Sequence, residues 1–121
     1  MQKWRLKLVV AHVDTHLDQK LKLGDLAAIA RMSPMYFASQ FRAATGCTPN
    51  SFVRCRRIER AQHLLLNSER SLTEIGYHVG FRSQAHFIVS FKSVTGITPG
   101  QWRRRGELTI GHPVKTLQKS V

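Results

Sequence analysis

Two segments of this 121-residue chain carry an outward helical face that stays uncharged until its last turns. Phenylalanines four residues apart, Phe37/Phe41 and Phe87/Phe91, mark the inward faces, because a helix turns by about 100° per residue. The opposite faces then hold Met35, Tyr36, Ser39 and Arg42 in the first segment, and Ala85, His86, Val89 and Lys92 in the second. Gln84 lies one step off the second face. Such side chains can contact hydrogen-bonding edges and methyl groups, while the terminal cations suit anions.

The chain is strongly basic, with 19 Lys and Arg against 7 Asp and Glu and a formal net charge of +12. This imbalance favours a polyanionic partner, either nucleic acid or an anionic membrane surface. The alternative is a basic protein that self-repulsion keeps in solution. No apolar run approaches the roughly 20 residues of a membrane span. The apolar stretch near the N-terminus is too short for a signal peptide, so we expect a cytoplasmic protein.

Residues that could support catalysis or bind metal do not form a recognisable set. Cys47 and Cys55 are eight positions apart and match neither a zinc pattern nor a redox motif. His12 and His16 are spaced as two zinc ligands could be, but no third ligand is close in sequence. There is no glycine-rich phosphate loop and no Ser/His/Asp grouping. We therefore predict a protein that is not an enzyme and uses no metal or other cofactor.

The chain repeats itself at an interval of about fifty residues. Residues 41–52 read FRAATGCTPNSF, and residues 91–102 read FKSVTGITPGQW. In each copy a glycine stops one helix, and Thr-Pro starts the next. Further start signals are Ser33-Pro34, Ser83 and a capping box formed by Ser71 and Glu74. The signals predict helices over residues 4–17, 25–30, 34–45, 49–66, 72–79, 84–95 and 99–105.

Each copy contains a short helix, a tight turn and a second helix, which is the layout of a helix-turn-helix motif. Gly76 lies in the middle of a short helix, where it would allow a close helix crossing. We predict four segments: an N-terminal helix-turn-helix lobe at 1–49, a linker helix at 50–67, a C-terminal helix-turn-helix lobe at 68–105 and a flexible tail at 106–121. Two uncharged outward helices on so basic a chain favour double-stranded DNA as partner. The alternative is that these are ordinary solvated helix faces.

Three blocks resemble the DNA-binding domain of the AraC/XylS family of bacterial transcription regulators. They are residues 26–41, the sequence RIERA at 57–61 with Leu64-Leu65, and residues 75–99, which contain GFRSQAHF. The resemblance implies an all-α fold of seven helices in two homeodomain-like helix-turn-helix lobes, joined by a long central helix. It also implies that both recognition helices enter successive major grooves, about 34 Å apart on one face of DNA.

The resemblance places base contacts at Met35, Ala38, Ser39, Gln84, Ala85, His86 and Val89, to which the helical face adds Tyr36. We expect DNA phosphate contacts from Arg42, Lys92, Arg82, Ser83 and Arg54. Two departures stand out. The first-lobe readers offer only apolar contact with thymine methyls and one hydroxyl. Arg31 stands where the family often has a turn glycine, so that turn is expected to be strained or differently shaped.

The expected lobes are therefore unequal in base discrimination. The second lobe should contribute most of it, with Gln84 suited to adenine and His86 to guanine or a phosphate. The first lobe should mainly position the protein through Arg42 and backbone groups. The arginines at 54, 56, 57 and 60 could bind phosphates, but they spread around the long helix and cannot all face DNA. Arg57 and Arg60 could instead pair with Glu59 or Glu74, or extend along the surface.

The resulting hypothesis is a sequence-specific transcriptional regulator, acting as an activator that helps to recruit RNA polymerase. The alternatives are a weakly specific architectural DNA-binding protein and a membrane-surface or protein-interaction module. Many members of the resembled family carry a separate effector-binding domain. If the chain is a fragment, that domain is a missing partner. If it is complete, we expect control by its abundance.

Overall fold

The computed structural model describes the backbone of residues 1–110 and the side chains of residues 1–107, and within that part it contains seven α-helices and no strand. The helices are α1 (Lys3–Thr15), α2 (Leu23–Ile29), α3 (Pro34–Thr45), α4 (Pro49–Asn67), α5 (Leu72–His78), α6 (Gln84–Thr95) and α7 (Pro99–Ile110). The all-α prediction with seven helices is confirmed. None of these helices combines the length and hydropathy needed to cross a bilayer.

The chain divides into two compact units, unit 1 (Met1–Arg56) and unit 2 (Arg57–Val121). The division falls within α4, so the first half of that helix belongs to unit 1 and its second half to unit 2. The N-terminal half of α4 adds Val53 to the core of unit 1, and the C-terminal half adds Ile58, Ala61 and Leu65 to the core of unit 2. One long helix therefore contributes apolar residues to two separate cores.

The last helix is longer than predicted. α7 continues to Ile110, whereas the expected end was Arg105 and a flexible tail was expected from Gly106. A glycine inside a helix costs only about 1 kcal/mol relative to alanine, which is too little to end a helix by itself. Gly106 is buried within α7. The remainder of the predicted tail, residues 111–121, lies outside the described residues.

The core of each unit contains a pair of phenylalanines from the second helix of its helix-turn-helix motif. Phe37 and Phe41 of α3 lie in the core of unit 1 with ring centroids 5.5 Å apart, and both are at most 1% exposed. Phe87 and Phe91 of α6 lie in the core of unit 2, with centroids 5.9 Å apart and no exposed surface. Burial of these four rings determines which faces of α3 and α6 turn outward.

The repeated phrase builds the same helix end twice. Gly46 and Gly96 adopt left-handed φ values of 81° and 88°, as predicted for stop glycines. The Thr45 hydroxyl lies 2.8 Å from the Phe41 carbonyl and accepts the Cys47 amide at 3.1 Å. Thr95 makes the equivalent contacts, at 2.9 Å to the Phe91 carbonyl and 3.3 Å from the Ile97 amide. The shared letters of the two phrases therefore encode a scaffold.

Both helix-turn-helix turns are Schellman motifs. In unit 1 the Arg31 amide donates to Ala28 and the Met32 amide donates to Ala27, each at 3.0 Å. In unit 2 the Gly80 and Phe81 amides make the same pattern, at 3.1 and 2.9 Å. This motif needs a left-handed residue at its centre. That residue is Gly80 with φ 103° in unit 2, but Arg31 with φ 59° in unit 1.

Gly76 lies where α5 crosses α6, as the sequence predicted. A β-carbon placed there would be 2.9 Å from Cδ2 and 3.1 Å from Cγ of the buried Phe87 ring. By contrast, Gly24 in the first turn of α2 has nothing within 4 Å of its would-be β-carbon. Gly76 and Gly24 therefore differ in whether the packing requires a glycine.

We predict that Gly76→Ala lowers the free energy of unfolding by about 1–3 kcal/mol, because overpacking outweighs the gain in helix propensity. Gly24→Ala is the matched control. It should raise the free energy of unfolding by up to about 1 kcal/mol, since only propensity changes. Urea denaturation of both variants measures the difference. A neutral or stabilising Gly76→Ala substitution would contradict the close crossing.

Arg31 and Gly80 give a second matched pair. Arg31→Gly should raise the free energy of unfolding by up to about 1 kcal/mol, because relief of left-handed strain exceeds the added entropy of the unfolded chain. Gly80→Ala should lower it by about 1–2 kcal/mol, since it introduces the same strain into unit 2. Equilibrium unfolding in urea tests both. Changes of the same sign would show that the two turns are not equivalent.

Candidate nucleic-acid interface

The outward face of α3 is apolar and polar but uncharged over its first two turns. Met35 is 86% exposed and Tyr36 is 56% exposed, and Ser39 is also exposed. Ala38 is only half-buried, so it lies at the edge of this face. Arg42 is exposed in the last turn. The first set of sequence-predicted site residues thus shares one accessible helix face in unit 1.

The outward face of α6 has a different chemistry. Gln84, Ala85, His86 and Lys92 are exposed, and Val89 is 67% exposed. The face combines an amide, an imidazole, a methyl and an isopropyl group ahead of the terminal cation. Ala85, His86, Val89 and Lys92 therefore share one accessible face in unit 2, and Gln84 is exposed one step off it.

Serine caps hold the N-terminus of each of these helices. The Ser33 hydroxyl oxygen accepts the Tyr36 amide at 3.4 Å, and the Ser83 oxygen accepts the His86 amide at 3.1 Å. This arrangement leaves the Ser83 hydroxyl proton available to donate to a bound anion. Arg82 is exposed immediately before that cap, at the positive end of the α6 dipole. The start of α6 is thus a favourable environment for negative charge.

The imidazole of His86 is oriented by a buried neighbour. Its ring meets the Phe81 ring edge-on, with centroids 5.2 Å apart and an interplanar angle of 89°. Phe81 occupies the turn position after Gly80 and is 3% exposed. Because an edge-to-face contact restricts rotation about the side-chain bonds, His86 presents its nitrogens in a limited range of directions.

Some basic side chains are exposed to solvent, whereas three arginines bond to groups within the protein and stabilise the fold. Arg56 of α4 forms a bidentate pair with Asp14 of α1, at 2.9 and 2.6 Å. Arg103 of α7 donates to the carbonyls of Leu65 and Ser68 at 3.0 and 3.1 Å, satisfying the C-terminal end of α4. Net charge therefore overstates the charge that is available to a partner.

The third structural cation is Arg5, whose Nη1 donates to the Ala30 carbonyl at 2.7 Å. No local sequence pattern predicts these contacts of Arg5 and Arg103. Both bind backbone carbonyls more than twenty positions away, and a carbonyl acceptor has no sequence signature. The arginines of α4 also separate. Arg54 and Arg60 are exposed, while burial lowers the pKa of Arg57 from its usual value by removing water from the guanidinium.

An open groove of about 360 Å³ runs beside α3 in unit 1. Its lining residues are Met1, Gln2, Arg5, Met32, Tyr36 and Gln40. The groove brings the N-terminal segment against one flank of the outward face of α3. Tyr36 belongs to both surfaces, so the segment before α1 contributes to the environment of a predicted base-contacting residue.

His12 of α1 stacks on His16, the residue that follows the helix, with ring centroids 4.1 Å apart and an interplanar angle of 19°. His16 Nδ1 lies 2.8 Å from the His12 carbonyl oxygen. Within residues 1–107 there is no group of three or more His, Cys, Asp or Glu side chains that could hold a metal ion. The pair is thus engaged in contacts at the C-terminal end of α1.

Comparison with known proteins places this architecture among transcription regulators. A helix-turn-helix domain family matches residues 26–105. The TetD protein of transposon Tn10 from Escherichia coli is 34% identical over 99 residues, covering 82% of this chain and 72% of that protein. The transcriptional activator RhaR of Salmonella schwarzengrund is 37% identical over 97 residues, covering 80% of this chain and 34% of that protein.

A solved structure shows the same fold with DNA bound. The DNA-binding domain of the global transcriptional factor AdpA, in complex with a target DNA, has a TM-score of 0.82 and 32% identity. The alignment covers 87% of this chain and 95% of that one. The chain spans about a third of the length of most curated regulators that it resembles, such as RhaR. The protein belongs to the AraC family of helix-turn-helix transcription regulators, and it is a DNA-binding member of that family.

Proposed function

We propose that the protein binds double-stranded DNA sequence-specifically by inserting α3 and α6 into major grooves, and that it activates transcription. The observation that supports this most directly is the pair of uncharged, exposed helix faces, one in each unit of a strongly basic chain. A major groove admits one α-helix and displays donors, acceptors and methyl groups to it. The similarity to the DNA-bound AdpA domain supports the mode of binding, and the similarity to the transcriptional activator RhaR supports activation.

Base readout is divided unequally between the two helices in this proposal. On α3, Met35 and Ala38 contact thymine methyl groups, while Tyr36 and Ser39 supply hydroxyls. On α6, the Gln84 amide reads adenine through paired hydrogen bonds, and His86 donates to guanine or to a phosphate. Ala85 and Val89 add apolar contacts beside them. The second helix thus supplies more base-specific hydrogen bonding.

Phosphate contacts position the two helices. Arg42 and Lys92 occupy equivalent exposed sites in the last turns of α3 and α6. Arg82 and the Ser83 hydroxyl add contacts at the N-terminus of α6, and the exposed Arg54 adds one from α4. Contacts of this kind set the register of the protein on the duplex without reading sequence.

The wider role follows from the family. We propose that RNA polymerase is the partner through which activation occurs, in the bacterial cytoplasm at the nucleoid. Because the chain spans only about a third of the length of such regulators, we propose that an effector-binding domain of a longer protein receives the signal. Residues 1–49, 50–67 and 68–105 would then act as first lobe, linker helix and second lobe of the DNA-binding part.

A second candidate is an architectural protein that binds duplexes with little sequence preference. The apolar character of the α3 face favours it, because Met35 and Ala38 cannot make base-specific hydrogen bonds. The two candidates differ in one measurable ratio. A specific regulator binds its site at least about a thousandfold more tightly than random duplex.

Selection from a random duplex library, followed by competition binding, decides between these candidates. We expect a specificity ratio of at least about a thousand and a motif that is sharper in the half assigned to α6. Gln84→Ala should cost about 1–3 kcal/mol of discrimination at one base pair and leave the α3 half unchanged. A ratio near one would support the architectural protein. A motif sharp only under α3 would refute the unequal division.

The phosphate role of Arg42 is testable by salt titration. Arg42→Gln should make the slope of log affinity against log salt shallower by about 0.9, because one fewer counterion is released. Lys7→Gln is the matched control, since Lys7 is an exposed cation on α1 outside the proposed contact set. Fluorescence anisotropy with one duplex measures both. Equal slope changes in the two variants would show that general charge, not a phosphate contact, is responsible.

A further inference from the structure

The turn before α3 holds an unusual backbone conformation. Arg31 has φ 59°, and it is the one non-glycine residue with positive φ in the described part of the chain. The equivalent position in unit 2 is Gly80. L-residues disfavour the left-handed region because the β-carbon approaches the following carbonyl oxygen. The turn in unit 1 therefore needs support that the turn in unit 2 does not.

Arg5 contacts that turn directly. Its Nη1 donates to the carbonyl of Ala30, the residue that caps α2 and immediately precedes Arg31, at 2.7 Å. A carbonyl at the end of a helix lacks an intrahelical donor, and a guanidinium is a charge-assisted one. The contact joins α1 to the strained turn across 25 positions of sequence.

The guanidinium of Arg5 is itself held in place. Its Nε donates to the Gln2 side-chain oxygen at 3.2 Å, and the same oxygen accepts Trp4 Nε1 at 2.9 Å. The guanidinium carbon also lies 5.0 Å from the centroid of the Trp4 ring. A planar group that is hydrogen-bonded on two sides and lies over an aromatic ring has reduced rotational freedom. Arg5 can therefore hold the Ala30 carbonyl in one direction.

The direction of that carbonyl bears on the outward face of α3. Three residues, 31–33, separate Ala30 from Pro34 at the start of α3. The amides of Arg31 and Met32 donate to carbonyls of α2, which fixes the turn on that helix. A rotation of the backbone between Ala30 and Arg31 would therefore change the direction of the whole of α3. Met35 and Tyr36 lie in its first turn, so the direction in which they face a DNA groove would change with it.

We propose that Arg5 is a positioning residue for DNA reading by unit 1: its bond to the Ala30 carbonyl maintains the left-handed turn at Arg31 and thereby the direction of α3. The proposal rests on the proposed role of α3 as a recognition helix. Arg5 acts here through the backbone and contacts no DNA. In unit 2 a glycine makes such support unnecessary.

The test compares Arg5→Met and Arg5→Lys, each alone and combined with Arg31→Gly, using a duplex obtained by library selection. Arg5→Met should reduce base discrimination in the α3 half about tenfold and leave the α6 half unchanged, whereas general destabilisation would affect both halves. Arg5→Lys should keep part of the discrimination, because its ammonium can still donate to Ala30. Arg31→Gly should restore most of it in the Arg5→Met background, because the strain is then gone.

Hydrogen exchange of the free protein supplies a readout that does not depend on DNA. In Arg5→Met the amides of Arg31 and Met32 should exchange at least about tenfold faster, while those of Gly80 and Phe81 should not change. If exchange accelerates but binding does not respond, the turn support is real and the role of α3 is wrong. Unchanged exchange, equal losses in both DNA halves, or no restoration by Arg31→Gly would overturn the proposal.

Discussion

The burial of two aromatic rings on each of α3 and α6 is the constraint on which the rest of the structure depends. A helix has one inward stripe, and residues four apart share it. Phe37 and Phe41 fill that stripe in unit 1, as Phe87 and Phe91 do in unit 2. Each ring removes about 150–250 Å² from water, so rotation of either helix would be strongly unfavourable. The outward faces are thus fixed by what is buried beneath them.

The two units form the same backbone turns with partly different residues. Both use a Thr-Gly helix stop and a Schellman turn, which satisfy carbonyls that would otherwise be left without donors at the helix ends. Unit 2 uses glycine at its turn and at the close crossing of α5 and α6. Unit 1 has Arg31 at the turn and draws on Arg5 for support. The residues of the Thr-Gly stop are shared between the copies, whereas the exposed faces of α3 and α6 differ in chemistry.

Charge in this protein has two uses that composition does not separate. Arg56 and Arg103 are committed to Asp14 and to helix-end carbonyls, where a fork-shaped donor can satisfy two acceptors at once. Arg42, Lys92 and Arg82 remain exposed beside the uncharged faces. A cation with an internal partner contributes little to a polyanion contact, since binding would require that partner to be released.

Local sequence signals determined the helix starts at Ser33, Ser71 and Ser83 and at the two Thr-Pro pairs, the glycine stops and the inward stripes, because each depends on residues within one or two turns. The start of α2 at Leu23, two residues before the predicted one, has no side-chain cap to mark it. The local signals also singled out Gly76 and Arg31. They did not predict that α7 continues through Gly106, because packing determines whether a helix tolerates the modest propensity cost of a glycine. Nor could they pair Arg5 with Ala30 or Arg56 with Asp14. Those contacts join distant positions, and only the folded chain brings a specific donor to a specific acceptor.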